Sequence, residues 1–146
     1  MEDIYLFKAK RIDNGEWVQG YYVKCLDVFT NCEEVHLIFE PNTMFYSSGE
    51  TDRRHKVDPS TICQCTGLKD KNGKLIWEND IVAYWDTYST ENGLAEADCI
   101  GKVVWDDETL SFQVTNRLSA ESYEVLDECS VIGNIFDNPE LLESEG

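Results

Sequence analysis

No long stretch of the chain places apolar residues every three or four positions. Short runs of β-branched and aromatic residues divided by turn formers take its place, and they predict strands. Ile4 to Lys10 alternates apolar with polar. Ile12-Asp13-Asn14-Gly15 reads as a tight turn, because Asn-Gly tolerates the positive φ angles that such turns need. Trp17 to Lys24 returns as the second arm of a hairpin, and Val35 to Phe39 predicts a third strand. Residues 41–60 change character, with Pro41, Asn42, Ser47, Ser48, Gly49, Pro59 and Ser60 marking a long loop or a boundary. One domain over 1–146 is therefore expected, with an N-terminal β sub-structure over 1–60 and a second part over 61–146. In that second part Thr61 to Thr66 is a short strand. Asp70-Lys71-Asn72-Gly73 is the strongest turn signal in the chain, with Leu75-Ile76-Trp77 directly after it. Asp80 to Trp85 is the next strand, and polar residues 86–98, with Asn92-Gly93, predict a surface excursion.

The last third predicts a meander. Cys99 to Trp105 leads through Asp106-Asp107-Glu108 to Leu110–Thr115, which sets Leu110, Phe112 and Val114 on one face. Tyr123 to Leu126 and Cys129 to Phe136 supply two more strands. Asn138-Pro139-Glu140-Leu141-Leu142 suits a helical turn, with Asn138 as cap, Pro139 at the first helical position and an acid in the first turn. The expected fold class is mainly β, with a small SH3-like barrel over 74–136 and a short C-terminal helical turn.

Composition makes a real core available. Among the 146 residues 42% are apolar and 12% aromatic, which excludes disorder throughout. A chain of this length can bury about 70% of its unfolded surface without metals or disulfides. Charge is less even. The formal net charge is −17, and residues 79–146 hold only Lys102 and Arg117 against 16 acidic side chains. A protein that grips nucleic acid neutralises phosphates with Lys and Arg. The field of this half instead repels DNA, RNA and anionic lipid within about 8 Å at physiological salt. The acid keeps a β-rich protein soluble, receives a basic partner, or imitates DNA before a DNA-binding protein.

Six cysteines stand at Cys25, Cys32, Cys63, Cys65, Cys99 and Cys129. Met1 to Arg11, with Glu2 and Asp3, is neither a signal peptide nor a membrane span. The thiols are therefore expected to be reduced and the chain cytoplasmic.

Two longer segments carry a resemblance. Thr66-Gly67-Leu68-Lys69-Asp70-Lys71-Asn72-Gly73-Lys74-Leu75-Ile76-Trp77-Glu78-Asn79-Asp80-Ile81-Val82 is similar to the signature of the YopX family, TGLxDxNGxxIyEGDIV. Val131-Ile132-Gly133-Asn134-Ile135-Phe136-Asp137-Asn138-Pro139-Glu140-Leu141-Leu142 resembles its closing motif. Phe7-Lys8-Ala9-Lys10-Arg11 with Gly15-Glu16-Trp17-Val18 is similar to its usual start. The sequence departs at Asn79, where the family usually has Gly. Asn is the next best residue if that position needs a positive φ. The resemblance implies a small protein of phages and prophages with no established enzymatic activity and no catalytic residues to carry over. The motif residues Thr66, Gly67, Leu68, Asp70, Asn72, Gly73, Asp80, Ile81, Val82, Ile132, Gly133, Asn134, Asn138 and Pro139 read as folding instructions, with Gly133 permitting close backbone approach.

Other constellations are weaker. Cys63-x-Cys65 places two sulfurs on one strand face, and Cys25, Cys32, His36 and His55 could add ligands, but the paired spacing of structural zinc sites is absent. Glu33-x-x-His36 would need a helix and has no second copy. Asp106-Asp107-Glu108 reads as a solvated tip. No nucleophile elbow, P-loop or dinucleotide fingerprint occurs. Arg53, Arg54 and Lys56 form a weak nucleic-acid patch, and Lys69, Lys71 and Lys74 near Trp77, Tyr84 and Trp85 form another. Asp52, Asp58, Asp70 and Glu78 dilute both.

The expectation is a non-enzymatic protein-binding accessory or regulatory module without cofactor or metal. Its partner would be a host or phage protein. A homo-oligomer is allowed through exposed strand edges, direct nucleic-acid binding is disfavoured, and no membrane is involved. The alternatives are an acidic DNA-mimic inhibitor of a host DNA-binding protein, and a nucleic-acid-binding or metal-dependent enzyme.

Overall fold

The structure, a computed structural model, describes residues 5–41, 54–115 and 128–143. It is mainly β, and by its contacts the chain falls into two compact units, Met1–Cys65 and Thr66–Gly146.

In the first unit β1 (Phe7–Lys10) and β2 (Trp17–Asp27) form the expected hairpin. Gly15 takes φ +72° in its turn, and its N–H donates to the Arg11 carbonyl at 3.0 Å. β2 runs three residues further than its alternation predicted. It ends in a 3-10 turn, Val28–Thr30, which the Asp27 carboxylate caps by accepting the Phe29 N–H at 2.9 Å. Asn31 and Cys32 then take left-handed φ angles of 60° and 59°, which reverses the chain into β3 (Glu33–Phe39).

β4 (Arg54–Lys56) pairs with β3, so part of the expected 41–60 loop is an edge strand. Residues 42–53 lie outside the described residues. Asp58 next caps the 3-10 turn Pro59–Thr61; the Ser60 hydroxyl and amide hold its carboxyl below the usual range. The opening residues of β5 (Cys63–Lys69) pair with β1. The register sends Ala9, Val18 and Ile38 to one face, where they cluster with Val57. Each such Val or Ile contributes about 1.5–3 kcal/mol on burial.

In the second unit the end of β5 folds back on β6 (Leu75–Trp77) around Asp70–Gly73. Gly73 supplies φ +82°, and the Asp70 N–H donates to the Lys74 carbonyl at 2.8 Å. The remaining strands are β7 (Asp80–Thr90), β8 (Gly93–Asp106), β9 (Ser111–Val114) and β10 (Ser130–Asn134), ordered β10-β7-β8-β9. Ile76, Val82, Tyr84, Cys99, Val103, Val114 and Cys129 form the core. A helical turn, α1 (Glu140–Glu143), closes the unit.

One expectation finds no support here and two change. The SH3-like barrel is not found among the described residues, since the strand order is open with β10 and β9 at its edges. The polar stretch 86–98 is a continuation of β7 and β8 as a ribbon, paired out to Thr90↔Gly93. Ala95, Ala97 and Cys99 alternate with exposed Glu96 and Asp98, a period of two that polarity had masked. Leu110 does not share a strand face with Phe112 and Val114; it is 72% exposed at φ +53°, the last residue of a turn. Asn138 accepts the Asn134 N–H at 3.3 Å with its side chain, and its carbonyl takes the Leu141 N–H at 3.1 Å. The strand expected at Tyr123–Leu126 lies outside the described residues. No described helix is long and apolar enough to cross a membrane.

Candidate protein-docking groove

The motif residues are placed by the backbone they bind. Asp70 is 6% exposed. One carboxylate oxygen accepts the N–H groups of Asn72 and Lys74, each at 2.9 Å, and the other accepts the Val131 N–H at 2.9 Å. Burial pushes its pKa up, but these three backbone bonds, with Lys74 nearby, outweigh that and hold it below the usual carboxylate range. The buried Thr66 hydroxyl donates to the Ile76 carbonyl at 2.7 Å and accepts the Leu68 N–H at 3.1 Å, bracketing Gly67 at φ +79°. Asp80, 2% exposed, accepts the Trp77 N–H at 2.8 Å, and Ile81 and Val82 are fully buried.

Asn79 takes φ +71°, so the position does need the conformation for which Asn is the next best residue after Gly. Its N–H donates to the Val103 carbonyl at 2.8 Å, and its carbonyl accepts the Ile135 N–H at 3.1 Å. Asn72 donates to the Ser130 hydroxyl at 3.3 Å. The Asn134 side-chain oxygen takes the N–H groups of Phe136 and Asp137, each at 2.9 Å. Gly133 faces a side chain rather than another backbone, for a Cβ there would lie 2.6 Å from Asn138 Oδ1. Pro139 accepts the Leu142 N–H at 3.2 Å. Leu68 and Ile132 are each 39% exposed. These residues hold turns and strand ends together.

The remaining candidates are scattered. Cys63 and Cys65 are buried, and the Cys63 thiol donates to the Thr61 carbonyl at 3.3 Å. His36 Nδ1 lies 2.6 Å from the Tyr22 hydroxyl, and His55 Nε2 lies 3.0 Å from a Glu40 oxygen. Glu33 and His36 stand on strand β3, not on a helix. Among the described residues no three His, Cys, Asp or Glu side chains gather as metal ligands. Lys69, Lys71 and Lys74 are exposed; of the rings near them in sequence Trp77 and Tyr84 are buried and Trp85 is 54% exposed. Arg53 lies outside the described residues. Arg54 and Lys56 are exposed on β4 opposite Phe39 and Leu37.

Those two cations border a feature that sequence reading missed. Cys25, Leu26, Val28, Phe29, Val35 and Leu37, with Asp27, Arg54 and Lys56, line an open groove of about 480 Å³. Leu26, Val28 and Phe29 are 59%, 73% and 94% exposed. An apolar run of this kind reads as buried strand. The turn formers Asp27 and Asn31 at its ends were the signal that it lies at a reversal. On the same sheet face, Lys8 and Lys10 hold their ammonium groups 4.8 and 5.4 Å from the Trp17 ring.

No curated protein matches the chain. A family model described as YopX protein matches residues 6–143. That span takes in the Asp70 turn, the left-handed Asn79 and the Gly133–Asn138 contact, so the chain belongs to the YopX family.

Proposed function

We propose that this YopX-family chain is a phage- or prophage-encoded, non-enzymatic accessory or regulatory module that acts by binding a host or phage protein in the bacterial cytoplasm. The observation that carries the reading is the use made of the Asp70 carboxylate. Both its oxygens accept backbone N–H groups of the chain itself. A general base or nucleophile needs an oxygen turned toward a substrate. This carboxylate of the signature is thus spent on shape, and recognition falls to the surface that this shape presents.

The DNA-mimic alternative draws on the acidic second unit. Among the described residues the exposed carboxylates there are spread over the ribbon (Glu91, Glu96, Asp98), the turn at Asp107-Glu108, the flanks of β10 (Glu128, Asp137) and the closing helix (Glu140, Glu143). A mimic calls for one continuous acidic face, so this alternative has less behind it.

The test is affinity isolation of the tagged full chain from phage-infected cells, followed by reconstitution of the recovered protein with purified chain. A stoichiometric complex that survives nuclease treatment is expected. Turnover of a substrate by the purified chain alone, or recovery of nucleic acid in place of protein, would refute the reading.

A further inference from the structure

We infer that the groove along Cys25–Phe29, Val35 and Leu37 receives an acidic segment of a partner protein, one apolar side chain seated in the groove and flanking carboxylates on Arg54 and Lys56. The inference rests on the protein-binding reading and gives it a site and a partner chemistry.

The apolar part follows from what lines the groove. A volume of about 480 Å³ falls within the roughly 300–1,000 Å³ of ligand sites. Its walls are Leu26, Val28, Val35 and Leu37, and Phe29 projects from its end almost fully exposed. Scattered exposed apolar residues are ordinary on proteins. Here three stand within four positions on the rim of one groove, which marks an interaction surface.

The acidic part follows from charge. Arg54 and Lys56 occupy alternate positions on a strand and so share a face, about 7 Å apart by strand rise. Carboxylates two residues apart on an extended segment match that spacing. The groove's own carboxylate, Asp27, uses one oxygen to cap its turn. On a chain of net charge −17, two cations beside an apolar groove give an acidic partner one favourable place to land.

A nucleic acid fits less well. Each phosphate contact needs its own cation, and the groove offers two. Phe29 is the one ring among its described lining residues, where a single strand needs several to stack on. Among the described residues of that sheet face Tyr21 is exposed and Trp17 is half-buried beneath the ammonium groups of Lys8 and Lys10, too few open rings for a run of stacked bases.

The test is an NMR titration of the full chain with the synthetic peptide Glu-Glu-Leu-Phe-Glu-Glu. The controls are a peptide with Gln for every Glu, a peptide with Ser for Leu-Phe, and single-stranded oligothymidylate. Saturable amide shifts are expected at Cys25–Phe29, Val35–Leu37 and Arg54–Lys56. Added salt should weaken them, and both control peptides should bind less tightly. Arg54→Glu with Lys56→Glu should weaken binding about tenfold or more, and Phe29→Ala should weaken it severalfold. All three side chains are exposed, so unchanged shifts over 7–18 and 59–65, in the same unit but away from the groove, verify that each variant is folded.

Absence of saturable shifts at millimolar peptide overturns the proposal, as does equal binding of the Gln peptide. Concentration-dependent shifts at the groove without peptide assign it to a second copy of the chain and overturn the proposal too. Peptide saturating another surface removes the groove but leaves the protein-binding reading standing. Oligothymidylate binding in the groove with no peptide binding removes both.

Discussion

Replacing Asp70 by Asn should loosen the second unit at neutral pH and leave it almost unchanged in strong acid. The wild-type carboxylate accepts three backbone N–H groups, two from its own turn and one from Val131 in β10. Hydrogen bonds to a charged acceptor contribute about 1.5–3 kcal/mol each. Asn72 and Lys74 lie in an exposed turn, where water can replace a lost acceptor; Val131 is half-buried, where water cannot do so fully. An Asn amide keeps one oxygen and turns its NH2 toward either Val131 or the turn, so donor meets donor. The cost expected is about 2–3 kcal/mol, and for Asp70→Ala about 3–5 kcal/mol.

With a urea m-value of about 2 kcal/mol/M, the Asn variant's midpoint at pH 7 should fall by about 1 M or more. Tryptophan fluorescence reads the transition, since Trp77 is 4% exposed in the same unit. The pH dependence follows in sign from the lowered pKa. The unfolded carboxyl titrates near about 3.9, and the folded one lies below the usual value. The stability it contributes is complete well above pH 4 and is lost as pH falls through the folded pKa. Asn does not titrate, so the gap between the two proteins should close in acid. Asp13 and Asp58, also lowered, act equally in both proteins and cancel. Equal midpoints at pH 7, or a gap that persists unchanged to pH 2, would refute the account.

Three further outcomes can be checked. Gly133→Ala should cost about 1–3 kcal/mol and speed hydrogen exchange at the Asn134 amide, because the new Cβ displaces the Asn138 oxygen that accepts it. Asn79→Gly should be neutral or mildly stabilising, whereas Asn79→Ala should cost about 1–2 kcal/mol through its left-handed φ; thermal unfolding of the pair gives the order. In thiol titration with a chromogenic disulfide, exposed Cys32 should react first and half-buried Cys25 next. Cys63, Cys65, Cys99 and Cys129 should wait for denaturant.

Most strands were legible because their side chains alternate and their turns carry Gly or Asn in the right places. Gly15 and Gly73 show this: each takes the positive φ that its Asn-Gly pair implied. Asn79 was legible by a different route, as an Asn standing where the family usually has Gly. The β7–β8 ribbon was missed because polarity was read as loop, although its period of two was present. β4 was missed because its three residues, Arg54-His55-Lys56, lack any apolar side chain. Their pairing with Phe39, Ile38 and Leu37 is set by β3, and no local preference of their own reveals it. The groove was hidden for a related reason. Which apolar residues stay exposed depends on what the fold lays over them, and that is not encoded residue by residue.

The bulge in β10 acts as a registration pin. Val131 sits opposite Val82 and Gly133 opposite Ile81, so Ile132 is an extra residue with no counterpart on β7. A plain strand could slide by two residues and still present the same face. A strand carrying an extra residue has only one position in which the surplus is accommodated. Removing Ile132 should therefore not trim the strand. It should leave a plain one, with Val131 and Gly133 still opposite Val82 and Ile81 and nothing to stop a slide by two residues.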